Sequence, residues 1–214
     1  MTRLTVIGGT GYAGSHIVSQ AAARGLETTS WSRTAPREGV EGVTYLTGDV
    51  QDPATLARAV KGADVVIGAL SPRGALDGHL RDVYRSLADV AERAGARLGI
   101  IGGAGSLRVS EDGPTVASLP SFPEAILPEA TQLSEVLDDL RARRGTLDWF
   151  FVSPAGSFGS FNPGTERGEW RTGGDVLLTD AQGNSEISGA DFGAAIVEEA
   201  ITPAHHRERF TVAY

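Results

Sequence analysis

A chain of 214 residues, 41% hydrophobic and 21% charged, carries enough apolar side chains for one well-buried domain and is too apolar to be disordered. It has no apolar run of membrane-spanning length and no basic–apolar–small leader in residues 1–30, so a cytoplasmic protein with no membrane partner is expected. The absence of cysteine excludes disulfides, thiolate metal sites and thiol catalysis, and the net charge of −8 argues against nucleic-acid partners while leaving room for a local phosphate pocket.

Leu4-Thr5-Val6-Ile7 reads as a short buried strand, and Gly8-Gly9-Thr10-Gly11-Tyr12-Ala13-Gly14 turns it into a helix that runs through Ile17, Val18 and Ala21 to Arg24-Gly25. Strands follow at 26–31 and 43–46. Asp52-Pro53 then opens a helix that ends at Lys61-Gly62. Residues 64–70 form a continuous apolar strand of the kind covered on both faces. A long helix is predicted from about 75 to 93, a strand over 97–101, and a glycine-rich turn at Gly102–Leu107. Residues 108–123 read as a loop and 124–144 as a helix interrupted or delayed by Pro128. A strand is expected at 147–152, closing with Ser153-Pro154-Ala155-Gly156. After Gly156 glycines, aromatics and short strands replace the alternation until a helix at 189–201 and a strand at 209–214.

This order predicts an α/β fold, a Rossmann-type doubly wound parallel sheet in a single domain spanning 1–214. Residues from about 157 to 214 are expected to form a small C-terminal lobe on the substrate side. The glycines at 8, 11 and 14 give G-x-x-G-x-x-G rather than G-x-G-x-x-G, but the chemistry is alike. Glycine allows the sharp turn, brings backbone close to a pyrophosphate, and lets helix and strand pack tightly. The helix N-terminus then favours an anion. The cradle Gly8, Thr10, Gly11, Tyr12 and Gly14 is therefore the first candidate cofactor site; an ordinary strand–helix connection is the alternative.

With these residues in place, the chain resembles atypical short-chain dehydrogenases/reductases. The likeness is strongest to the NADH-flavin-reductase-like group near biliverdin reductase B and NmrA-like proteins. The resemblance rests on Gly8–Gly14, Gly102–Leu107, Leu147–Gly156, Gly173-Gly174-Asp175, Ile187–Phe192 and Arg209–Tyr214, in that order. It implies an NAD(P)-binding oxidoreductase acting on a small molecule; the sequence leaves the oligomeric state open.

At the end of the second strand an NAD-preferring enzyme would place a carboxylate against the ribose 2′-hydroxyl. Here the stretch is Trp31-Ser32-Arg33-Thr34. Arg33 and Ser32 can bind a 2′-phosphate, so NADP(H) is favoured over NAD(H); a solvated loop arginine is the alternative. Asp49-Val50 follows the third strand, where relatives hold the adenine, although Asp49 can equally be a turn residue. Ala69-Leu70-Ser71 closes the fourth strand at its ligand-binding end. By resemblance, Ser153-Pro154-Ala155 borders the nicotinamide, and Gly102 and Gly103 allow close cofactor approach.

Tyrosines stand at 12, 45, 84 and 214, and Lys61 is the only lysine, so the Tyr-x-x-x-Lys pair of many superfamily members is absent. That argues against alcohol–ketone dehydrogenase or epimerase chemistry. Hydride transfer to a flavin or quinone is less demanding, because the ring accepts the electrons and solvent supplies the proton. Flavin is therefore a candidate substrate; a non-catalytic NADP-binding redox sensor of the NmrA-like kind is the rival. Ser106 is the remaining candidate catalytic side chain, or else a turn or cap serine. Phe158, Phe161 and Trp170 can stack on a planar substrate or pack in the core. The histidines at 16, 79, 205 and 206 lack metal-ligand spacing, and Glu124, Glu129 and Glu135 read as solvated helix positions.

Overall fold

The computed structural model describes residues 2–214. In β1 (Arg3–Ile7) only Arg3 is exposed, because helices cover both faces of the strand. The chain continues through α1 (Tyr12–Ala23), β2 (Glu27–Ser32), β3 (Val43–Thr47), α2 (Pro53–Val60) and β4 (Val65–Gly68). Next come α3 (Leu80–Ala94), β5 (Arg97–Ile101), α4 (Leu127–Ala142), β6 (Trp149–Pro154), β7 (Arg171–Gly173), α5 (Gly189–Ile201) and β8 (Glu208–Ala213). The eight strands form one sheet in the order β3-β2-β1-β4-β5-β6-β8-β7, parallel except for β7, which runs antiparallel along β8. The chain winds outward from β1 to β3, crosses back to β4 and winds the other way. This reversal opens a crevice at the carboxyl ends of β1 and β4.

Two apolar layers hold the sheet. On one face Ile17, Val18 and Ala21 of α1 and Phe192, Ala195 and Ile196 of α5 pack with Leu4, Val6 and Ile67. On the other, Leu56 of α2, Leu80, Tyr84 and Leu87 of α3, and Leu133, Val136 and Leu137 of α4 cover Ile7, Val66, Leu98 and Ile100. Among the described residues, no helix is long and apolar enough to cross a membrane.

The doubly wound parallel sheet predicted from sequence is present, with three local differences. The helix expected from about 75 begins at Leu80, after a single 3-10 turn at Gly74–Leu76 and a left-handed Gly78 (φ 73°). The helix expected from 124 opens as a 3-10 turn at Glu124–Ile126, and Pro128 sits in the first turn of the α-helix, where its missing N–H is harmless. In the C-terminal stretch, α5 and β8 belong to the sandwich itself, so the part lying outside its regular elements is mainly 155–188, with only β7 joining the sheet.

Several carboxylates are fixed by arginines. Hydrogen bonds from Arg143, and from the backbone N–H groups of Thr146 and Leu147, hold the Glu92 carboxyl at about 2. Arg81 and Arg85 do the same for Asp139, also at about 2. Because these folded values lie below the ordinary 4.5 and 3.8, the stabilisation is complete above those values and is lost as pH falls toward 2. Thermal unfolding followed from pH 7 downward should show a midpoint that declines through this acid window. Glu92→Gln should reduce the slope, and an unchanged slope would remove Glu92 from the account.

Candidate functional site

The crevice is built from the glycine turn. Gly8 follows β1 in the left-handed region (φ 88°), and its N–H donates to the Trp31 carbonyl at 2.8 Å, tying the ends of β1 and β2 together. A Cβ at Gly8 would lie 2.3 Å from the Ala69 carbonyl oxygen, and one at Gly14 would lie 2.2 Å from the Gly8 oxygen. These two glycines let the turn sit against β4 and let α1 start directly behind it. At Gly11 a Cβ would meet only the Gly8 oxygen, at 3.3 Å, so its other side is open. No side chain caps α1, and its first turn holds no acid. The helix N-terminus thus presents amides and a positive dipole end that the protein does not itself neutralise.

Ser32 completes this end. Its Oγ accepts from the Thr10 N–H at 3.1 Å, which leaves the hydroxyl hydrogen to donate outward. The groove has a volume of about 270 Å³. Its lining comes from the glycine turn (Gly8, Thr10, Gly11), the end of β2 (Trp31, Ser32, Arg33), the loop after β3 (Asp49, Val50, Gln51) and the segment after β4 (Ala69, Leu70, Ser71, Arg73, Ala75, Leu76). Arg33 is exposed and forms no ion pair with any described residue. Asp49 accepts the Gln51 N–H at 2.9 Å, so its turn role is real, and it still lines the groove. These residues, brought from four strand ends, fit an extended dinucleotide: amides for a pyrophosphate, Arg33 and Ser32 for a further phosphate, and Val50 and Leu70 as apolar walls.

Trp31, Gln51, Arg73, Ala75 and Leu76 also line the groove, beyond the site residues expected from the sequence. Arg73 had a signal, since it follows Ser71-Pro72 at the carboxyl end of β4. It pairs with Glu129, Nε to Oε2 at 2.8 Å, and Ser71 donates to the same carboxylate at 3.3 Å. Glu129 was expected to be solvated. It is instead half-buried, holding the segment after β4 to α4. Glu135 lies 3.5 Å from Arg81, whereas Glu124 is exposed.

The other candidates lie outside this groove. The Tyr12 ring packs edge-on to His16 (5.0 Å) and against Phe158 (5.3 Å), and its buried hydroxyl has no hydrogen-bond partner among the described residues. Burial raises the pKa of this phenol. A Cβ at Gly102 would fall 2.0 Å from the Phe151 ring, so Gly102 serves packing within the sheet, whereas Gly103 faces only Leu133 at 3.4 Å. Ser153, Pro154 and Ala155 are buried at the end of β6. Phe158 packs on Phe192 at 4.4 Å, Trp170 lies against the α1/α5 core, and Phe161 is 78% exposed, so the three aromatics do not form a single stacking wall. Ser106 is half-buried in the turn after β5, its Oγ accepting from Arg209 at 2.8 Å. Among the described residues, no three His, Asp or Glu are grouped to hold a metal.

A second depression of about 320 Å³ lies between α3 and α4. Its arginines are already committed, Arg81 and Arg85 to Asp139 and Arg143 to Asp89 and Glu92.

Comparison with known proteins supports the cofactor reading. The sequence profile of a family described as NAD(P)H-binding matches residues 8–203. Protein YwnB of Bacillus subtilis is 36% identical over 215 residues, covering 98% of this chain and 97% of YwnB. A crystal structure of a provisionally named epimerase from Bacteroides thetaiotaomicron superposes with a TM-score of 0.89 at 32% identity, covering 100% of this chain and 97% of that one. A provisionally named NADH-flavin reductase from Streptococcus pneumoniae gives 0.87 at 29% identity, covering 100% and 99%. The chain belongs to the NAD(P)H-binding family, and its fold and motif order are those of the atypical short-chain dehydrogenases/reductases.

Proposed function

We propose that this protein is an NADPH-dependent reductase that passes hydride to a flavin, a quinone or a similar planar acceptor. The observation that carries the choice of NADPH is the end of β2: it holds Ser32 and an unpaired Arg33 at the groove and no carboxylate. In this reading the amides of the glycine turn and the first turn of α1 bind the pyrophosphate. Arg33 and the Ser32 hydroxyl hold the 2′-phosphate, and Val50 and Asp49 border the adenine. Ala69, Leu70 and Ser71 carry the groove toward the ends of β5 and β6, where the acceptor meets the nicotinamide.

When bound, the reduced nicotinamide supplies the hydride. The chain's own task is to hold two flat rings in contact and exclude unproductive orientations. No tyrosine is followed four residues later by lysine, and Tyr84 is engaged elsewhere, donating to the Gly68 carbonyl and accepting from the Leu70 N–H. This favours acceptors that take their proton from water. The provisional name of the Streptococcus relative points the same way.

The test is anaerobic mixing of the protein and NADPH with FMN, riboflavin and quinones, following the absorbance of the reduced nucleotide. Oxidation of NADPH with at least one acceptor is expected. Tight NADPH binding without turnover on any of them would replace the reductase reading with that of a nucleotide sensor. Arg33→Ala should weaken NADPH binding roughly 10- to 100-fold, the range of a lost charge-assisted hydrogen bond, and NADH binding by no more than about twofold. An equal effect on both nucleotides would remove Arg33 from the 2′-phosphate.

A further inference from the structure

Two arginines are buried away from the groove, Arg97 and Arg209, and only the second reaches toward the turn after β5. Arg209 lies on β8 with its side chain 2% exposed, far in sequence from every residue it touches. Its Nε donates to Asp175 at 2.6 Å, its Nη2 lies 2.5 Å from the same carboxylate oxygen, and its Nη1 donates to Ser106 Oγ at 2.8 Å. Arg141 of α4 donates to both oxygens of Asp175, at 2.7 and 3.0 Å. The backbone joins the same parts, with the Arg108 N–H donating to the Asp175 carbonyl and the Leu177 N–H to the Arg108 carbonyl, both at 2.8 Å. The turn after β5 is thereby stitched to the loop after β7, with Arg209 beneath the junction.

We propose that Arg209 is a positioning residue that sets Ser106 as a hydrogen-bond donor to the acceptor molecule, an inference that rests on the reductase reading. Guanidinium has donors and no acceptor, so Ser106 Oγ must accept from it. The serine hydrogen is then directed away from Arg209, and the adjacent positive charge makes it a stronger donor. Nε and Nη2 anchor Asp175; the third nitrogen, equally buried, takes as its acceptor a half-buried serine at the carboxyl end of β5.

The surroundings agree. Register pairs Phe151 with Arg209 and Ser153 with Thr211, so Arg209, Ser153 and Thr211 share the sheet face that Phe151 presents to the core beneath α3 and α4. Ser153 and Thr211 are 0% and 1% exposed, and neither hydroxyl has a hydrogen-bond partner among the described residues. Buried hydroxyls of this kind are rare in folded proteins. This end of the sheet is therefore polar on the side where Ser106 stands. In the reaction the hydride brings two electrons to the acceptor, charge develops on a ring nitrogen or oxygen, and water supplies the proton. Ser106 stabilises the developing charge without being consumed.

The test is a double-mutant cycle on the full-length protein with Ser106→Ala, Arg209→Gln and the pair. It reads kcat and KM for whichever acceptor turns over, NADPH affinity by tryptophan fluorescence, and the thermal midpoint. Each single variant is expected to lower kcat about tenfold, with NADPH affinity within about twofold of the parent, and the double variant to be no slower than either single. If Arg209→Gln fails to fold, Arg209→Lys replaces it in the cycle, keeping a cation against Asp175 without the nitrogen that reaches Ser106. Multiplicative losses in the double variant, or an unchanged kcat in Ser106→Ala, overturn the proposal while leaving the reductase reading intact. A parent protein that binds NADPH but reduces no acceptor overturns both.

Discussion

Replacing Gly14 with alanine is expected to abolish tight nucleotide binding and to lower the thermal midpoint by roughly 2–12 °C, the range for overpacking in a domain of this size. The new Cβ would stand 2.2 Å from the Gly8 oxygen, 2.8 Å from the Gly8 carbonyl carbon and 2.9 Å from the Gly9 Cα. All three are backbone atoms, so no side-chain rotation relieves the clash. Either α1 moves off the turn or the turn moves off β1, and Gly8 is itself tied by its N–H to Trp31. Gly11→Ala is the informative control. Its Cβ has one neighbour, at 3.3 Å, so the fold should tolerate it with little change in midpoint. A pyrophosphate lying against Gly11 would not, so in this variant affinity should fall while the midpoint holds. Calorimetric titration with NADPH and thermal scans on both variants decide the matter; a Gly14→Ala protein with the parent's midpoint and affinity would falsify the packing account.

Glu199→Ala should be the most damaging single change away from the groove, at about 3–5 kcal/mol, because it strips a buried cation of its buried counter-charge and leaves only the more exposed Asp148. Arg97, 8% exposed, donates to Glu199 Oε1 at 2.6 Å, to the Glu199 and His205 carbonyls, and to Asp148 at 3.0 Å. Its guanidinium also lies 4.4 Å over the Phe150 ring. Glu199 in turn accepts from the Ala204 and His205 N–H groups and contacts His205 Nδ1 at 2.7 Å; burial opposes its charge, but the bond from Arg97, with these others, holds its carboxyl below the ordinary range. One carboxylate thus joins β5, the end of α5 and the approach to β8. Urea unfolding should show the loss at an unchanged m-value, and the pair Arg97→Met with Glu199→Leu should recover much of it. A Glu199→Ala protein within about 1 kcal/mol of the parent would mean that Asp148 and the carbonyls suffice.

What could be read from the chain beforehand was what depends on near neighbours. A β-branched run ended by glycine marks β1, Asp52-Pro53 marks the start of α2, and Arg24-Gly25 marks the end of α1. Each of these is local chemistry, and each lies where it was expected. The start of α3 was misjudged because apolar residues from Ala75 onward continue the helical spacing, whereas the left-handed Gly78 breaks it. Glu129 looked solvated because its partner, Arg73, is 56 residues away. Arg209 opens the Arg209–Tyr214 motif, but its contact with Ser106 leaves no mark in the sequence: it occupies an ordinary alternating position in a strand, and only the sheet order brings it to Ser106, 103 residues earlier. The aromatics after β6 were read as a group because they cluster in sequence, but the loop sends Phe158 inward and Phe161 outward.

The position of β8 between β6 and β7 also bears on how the molecule is made. It is the last strand in chain order, and β7 has no other partner in the sheet. During synthesis the strands that meet at the groove, β1 to β4, leave the ribosome well before α5 and β8, so the sheet face that α5 covers stays open until late. The Ser106 clamp likewise waits for residue 209.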